Sequence, residues 1–172
     1  MPLSIRNEEP SDRAAVESLL REAFGGPAEA RIVRRLRREA RPLVSLVAVE
    51  RGAPVGHILF SPVSIAGRGR GARFLGLGPM AVPPARQRRG IGSRLVREGL
   101  EACRELGCEA VVLVGHPEYY PRFGFVPASR FGLTWLPGVP DEAFLALELA
   151  PGALAGGGRV EYHPVFAEEA DG

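Results

Sequence analysis

Between Gly78 and Leu95 an apolar, strand-like run ends at the Pro83-Pro84 corner, crosses a short basic loop, and restarts on Gly90-Ile-Gly-Ser93. No other feature constrains the fold as strongly. The order requires a strand that delivers its end to the start of a helix. A helix start presents unpaired N–H groups and the positive end of its dipole in one direction, an arrangement suited to phosphate oxygens. Gly90 and Gly92 let an anion approach the main chain, and Arg86, Arg88 and Arg89 supply positive charge around it. The stretch reads as a pyrophosphate seat.

The flanking pattern places this corner in a mixed α/β domain. An edge strand is expected at 3–6 and a helix over about 12–24 capped by Ser11, with Ala15, Val16, Leu19, Leu20 and Phe24 at helical spacing. A second helix over about 28–39 turns Ile32, Val33 and Leu36 inward and Arg31, Arg34, Arg35, Arg37 and Arg38 largely outward. Strands follow at 44–50 and 55–61, then at about 73–82 after a glycine-spaced hairpin tip at 67–71. The helix from Gly90 buries Leu95, Val96, Leu100, Cys103 and Leu106, with Gly107 as its cap, and 110–114 reads as a fully buried strand. A strand–helix–strand unit at 73–114 implies a parallel pair inside an otherwise antiparallel sheet. Five prolines make 116–143 irregular. Closing strands are expected at 144–149 and about 159–163, before a frayed acidic tail at 167–172. At 172 residues, with no repeat and no linker, a single domain over 1–172 with a core at about 3–150 is expected.

Composition excludes several functions. All 22 basic residues are arginine, so neither a lysine nucleophile nor a Schiff base can form. A net charge of +2 does not call for a polyanion, and no aromatic residues interleave the 31–38 Arg face, which argues against nucleic acid. No run is long enough for a bilayer, and no signal-peptide pattern opens the chain, so a cytoplasmic protein without a membrane partner is expected. Cys103 and Cys108 offer neither a zinc set nor C-x-x-C spacing; packing is the expected role, and no metal is expected.

Three phosphate ligands compete for the corner. A Walker loop needs a lysine. A dinucleotide fold needs a third glycine where Leu95 stands. The third reading rests on a resemblance: Gln87-Arg88-Arg89-Gly90-Ile91-Gly92 is similar to the Gln/Arg-x-x-Gly-x-Gly/Ala signature of the GNAT superfamily of N-acyltransferases. Met80-Ala81-Val82 looks like that family's pantetheine-pairing strand. Tyr120-Pro-Arg-Phe-Gly124-Phe125 resembles its Tyr-x-x-x-Gly-Phe segment. Within the family, a YhbS-like branch of predicted acetyltransferases carries similar blocks at 56–61, 77–82, 116–125 and 144–149. The resemblance implies a mixed central sheet with a splayed parallel pair, flanking helices, and acetyl-CoA as cosubstrate. By resemblance the pantetheine arm falls to Met80, Ala81 and Val82, and the phosphates to Gln87, Arg88, Arg89, Gly90, Ile91, Gly92 and Ser93.

The chemistry then sets two proton problems. An alkylamine must lose a proton, which costs ~4.6 kcal/mol at pH 7 for a pKa near 10.4. The departing thiolate must gain one, and a phenol is a suitable donor. Tyr120 matches the family's acid, with Tyr119 as the fallback. No acid lies between Arg73 and Val82, so the base stays open: His116 could relay a proton or equally cap the strand turn before Pro117, and Glu118 beside it could work through water. His57 reads as a core residue and Ser61 as a strand-end residue. Trp135, Phe131 and Phe24 could wall an acceptor site, with Asp141 and Glu142 attracting an amine. The implied reaction is transfer of an acetyl group to a primary amine of a small molecule or peptide by direct attack in a ternary complex. The alternative is a non-catalytic acyl-CoA-sensing or partner-binding module. The identity of the acceptor, monomer or homodimer, and strict preference for acetyl all stay open.

Overall fold

β-Branched and alternating apolar residues set the strands of a mixed sheet. The computed structural model describes residues 2–68 and 73–170, so most of the expected 67–71 hairpin tip and residues 171–172 lie outside the described residues. β1 (Ser4–Asn7), β2 (Val44–Glu50) and β3 (Ala53–Ile65) are antiparallel, with Ser4 opposite Val49 and Val44 opposite Phe60. β4 (Phe74–Ala81) runs parallel to β5 (Ala110–Val114). Two-residue strands β6 (Val126–Pro127) and β7 (Leu133–Thr134) lie in the proline-rich region, followed by β8 (Phe144–Glu148) and β9 (Gly158–Glu161). The main path is β1-β2-β3-β4-β5-β8-β6, and β9 pairs with the end of β3 and with β7.

The chain packs as two compact units. Among the described residues, the first contains 2–61, 78–102 and 164–170, and the second contains 62–68, 73–77 and 103–163.

In the first unit, α1 (Arg13–Phe24) and α2 (Ala28–Glu39) bury Val16, Leu20, Val33 and Leu36 against Val47, Leu59 and Ala81. Strand alternation gives β3 two faces. Leu59 points to these helices, whereas Gly56 and Phe60 meet α3 (Ile91–Glu105). Ser11 does not cap α1: Pro10–Asp12 forms a 3₁₀ turn, and Asp12 stands before the helix, accepting from the Glu9 N–H at 2.7 Å and from Arg6. The described part of the expected frayed tail, residues 167–170, instead belongs to a helix, α4 (Val165–Ala170). Val165 and Phe166 join the α1/α2 core, Glu169 reaches Arg31, and Glu168 pairs with Arg35. Apolar docking and countercharge order a segment whose composition alone reads as solvated.

In the second unit Phe74, Ala110, Val112, Phe144, Ala146, Leu154 and Val160 form the core. Leu106 is not buried as expected. α3 ends at Glu105, so Leu106 lies past the last turn and is exposed.

Candidate active site

The expected pyrophosphate seat is built from left-handed backbone. Arg88 takes φ +66 and Gly90 φ +84 on either side of Arg89. Alternation of this kind turns successive N–H groups into one concavity. The first backbone bond of α3 is Arg94 N–H to Gly90 O at 3.1 Å, so the N–H groups of Ile91 and Gly92 precede the helical ladder. A Cβ on Gly90 would meet no protein atom within 4 Å, so the space over this turn is open. Glycine is therefore needed here for its φ and for clearance from a ligand, not for packing. This open cradle and its donor set fit a pyrophosphate.

Two glycines seat α3 on β3. A Cβ on Gly56 would stand 3.0 Å from Ile91 Cγ2 and 3.2 Å from Leu95 Cδ1, and one on Gly99 would stand 2.4 Å from the Phe60 ring. The close approach holds the helix start, and with it the loop, in place. Side chains brace the loop from the other end. Gln87 Nε2 donates to Val82 O at 2.9 Å, and Arg86 reaches Glu50 at 3.1 Å. Gln87 is thus a brace for the turn, and Arg88 and Arg89 are the exposed charges beside it.

The expected pantetheine strand also has a recognisable local form. Pairing of β4 with β5 ends at Gly76 opposite Val112, although β4 continues to Ala81 and β5 to Val114. Gly78 takes φ +146. Met80 and Val82 are half-buried, and the Ala81 side chain is sealed in the α1/α2 core, leaving only its main chain for a ligand.

Tyr120 lies in the second unit on a 3₁₀ turn, Tyr120–Phe123, capped by Gly124 at φ +99. His116 O accepts from the N–H groups of Tyr119 and Tyr120 at 3.2 and 3.4 Å. Its main chain therefore shapes the turn while its side chain is exposed. Tyr120 is buried between Tyr119, edge-on at 5.0 Å, and Phe125 at 5.9 Å. Burial pushes its hydroxyl up to about 12, with the Tyr119 hydroxyl adding to the rise. Tyr119 is the outer ring, half-buried under the Arg122 guanidinium at 4.5 Å. The sequence pattern gives no hint of Gly115, where a Cβ would stand 2.6 Å from the Tyr120 ring. Its only signal is its place between a buried strand and the turn.

Other candidates have structural partners. Trp135 packs on Tyr162 at 4.8 Å and Phe144 at 5.9 Å, and Phe131 packs against the same core. Phe24, Asp141 and Glu142 are exposed. Ser61 is not a strand-end residue: β3 runs on to Ile65, so Ser61 is buried within it, its Oγ without a protein partner among the described residues. On α2, Arg34 forks onto Glu17 and Arg35 onto Glu39, and Arg37 holds the buried Glu8. Much of the Arg face thus meets carboxylates of its own chain. Among the described residues no group of three or more His, Cys, Asp or Glu is placed to hold a metal, and no helix is long and apolar enough to cross a membrane.

A mixed sheet whose parallel β4–β5 pair stops pairing after three residues, with β4 leading through an open left-handed turn into the start of α3, defines an acyl-CoA N-acyltransferase class of fold. The chain belongs to the GNAT acetyltransferases: the family model described as an acetyltransferase (GNAT) domain matches residues 4–128. It is similar to the uncharacterized N-acetyltransferase YhbS of Escherichia coli K12, at 39% identity over 166 residues, 94% of this chain and 97% of that protein. The crystal structure of YhbS in complex with CoA matches with a TM-score of 0.88 at 38% identity, covering 96% of this chain and 92% of that one. A GNAT family acetyltransferase from Brucella melitensis in complex with acetyl-CoA matches with a TM-score of 0.79 at 38% identity, covering 96% and 98%.

Proposed function

We propose that this chain acts as one acyltransferase domain that moves the acetyl group of acetyl-CoA to a primary amine by direct attack in a ternary complex. The observation that carries the reading is the open left-handed turn at Arg88–Gly90 at the start of α3. Main-chain N–H groups from Gly90 to Ser93 receive the pyrophosphate, Arg88 and Arg89 add charge, and Gln87 holds the turn. The main chain of Met80, Ala81 and Val82 takes the pantetheine arm. Acetyl-CoA supplies the activated acyl group as a thioester. Tyr120 is the acid for the departing thiolate: burial keeps its proton in place at neutral pH, as an acid requires. His116, exposed beside the same turn, takes the amine's proton.

Isothermal calorimetry tests the donor half. Wild type is expected to bind acetyl-CoA, and Gly90→Asp to lose that binding, because the carboxylate puts negative charge and a side chain where the anion sits. Retention of wild-type affinity by Gly90→Asp would remove the seat from this loop. Release of free CoA across an amine panel tests transfer itself.

A further inference from the structure

Two buried thiols at the end of α3 have no part in the acyl-transfer reading. Gly107 takes φ +82, its N–H donates to Arg104 O at 3.0 Å, and the Cys108 N–H donates to Cys103 O at 3.0 Å. These two bonds make a Schellman cap, in which the side chain after the glycine folds back onto one in the last turn of the helix. That contact is usually between apolar groups. Here both members are free, buried cysteines.

The thiols are arranged in series. The Cys103 thiol donates to the Cys108 sulfur, and the Cys108 thiol in turn donates to Ala110 O at 3.2 Å. The bond from Cys103 lowers the Cys108 pKa and holds the proton on Cys103, whose own pKa rises. Cys108 is therefore the first to become a thiolate, the form that reacts. The connecting residues Arg104, Glu105, Leu106 and Gly107 are all exposed. Arg73 Nη1 donates to Leu106 O at 2.5 Å within this segment. Opening the last turn of a helix is a low-energy local event, and it brings both sulfurs to solvent.

We propose that Cys103 and Cys108 are an oxidation site, at which peroxide closes the cap of α3 with an intramolecular disulfide. The Cys108 thiolate attacks one peroxide oxygen, the O–O bond breaks, and hydroxide departs, leaving Cys108 as a sulfenic acid. The Cys103 sulfur then attacks the Cys108 sulfur. The S–O bond breaks, and the hydroxyl leaves with the Cys103 proton as water. Two electrons pass from the thiols to peroxide. A disulfide requires two side chains that meet, and the two thiols bond to each other across the cap.

Intact-mass spectrometry of the full chain tests this. Reduced protein is exposed to hydrogen peroxide under native conditions, quenched in denaturant and alkylated with N-ethylmaleimide. The expected product has lost two hydrogens, takes no maleimide, stays monomeric, and recovers two alkylation sites on reduction. Cys103→Ser is expected to leave a sulfenic acid on Cys108 that dimedone traps. Cys108→Ser, which removes the partner sulfur, is expected to form no intramolecular disulfide and to give at most a sulfenic acid on Cys103. Two maleimides on peroxide-treated wild type, an intermolecular disulfide, or sulfinic acid without a disulfide would each overturn the proposal, as would faster oxidation at Cys103 than at Cys108.

Discussion

Acid should unfold this protein partly through one buried imidazole, His57. Its ring is fully buried on β3, and desolvation, with Arg37 acting in the same sense against Glu8, lowers its pKa from 6.5 to about 4. The hydrogen bonds give the tautomer. Glu8 can only accept, so the single Ser45 hydroxyl proton goes to Glu8 Oε1 at 3.0 Å. His57 Nε2 must then donate to Ser45 Oγ at 2.8 Å, leaving Nδ1 as a bare lone pair with no protein partner among the described residues. The native state holds the ring neutral, while the unfolded chain takes a proton below 6.5. Stability therefore falls with pH from 6.5 down to about 4 and, for this group, no further. At about 1.4 kcal/mol per pKa unit the whole window is worth about 3 kcal/mol, and the step from pH 7 to pH 5 about 2 kcal/mol. Asp12 does not blur this window. Arg6 bonds to its carboxyl and holds it below 3.8, so its contribution is lost only at more acid pH. The assay is urea unfolding at pH 7 and pH 5 for wild type and His57→Gln, whose amide can still donate to Ser45. Wild type should lose the extra 2 kcal/mol or so and the variant should not. Equal losses would mean that His57 is not held neutral in the fold.

Three further substitutions probe the site and its supports. Tyr120→Phe should lower turnover by about a hundredfold while leaving acetyl-CoA affinity nearly intact, read from initial rates and calorimetry; equal rates would take Tyr120 out of the mechanism. Gly115→Ala should cost about 1–3 kcal/mol in urea unfolding, because its Cβ would stand 2.6 Å from the Tyr120 ring. It should also slow turnover more than it weakens acetyl-CoA binding, whereas a change in binding alone would contradict this placement. Gly99→Ala should cost a similar 1–3 kcal/mol by overpacking Phe60, and normal stability would show that α3 does not rest on β3 as described.

Much of the architecture was legible from local signals. The 3.6-residue spacing of Val16, Leu19 and Leu20 marks α1, and the unbroken run Ala110–Val114 marks β5. Where the expectations failed, the deciding contact came from far along the chain. The acidic tail reads as frayed because its docking surface, Arg31 and Arg35 with the α1/α2 core, lies more than a hundred residues upstream. Ser61 reads as a strand end because nothing near it shows β3 continuing to Ile65 and pairing with β9.

The candidate site divides in the same way. The amino-acid order alone determined that a strand would hand over to a helix start at Gly90, and that two glycines and three arginines would surround it. Backbone conformation and helix polarity depend on near neighbours, so they can be read residue by residue. Tertiary structure decided which side chains stay free for a ligand. Gln87 is committed to Val82 and Arg86 to Glu50, leaving Arg88 and Arg89 exposed. It also separated two adjacent tyrosines that sequence could only rank, burying Tyr120 against Gly115 and leaving Tyr119 outside under Arg122. Burial and pairing are properties of surfaces that meet only when distant segments pack.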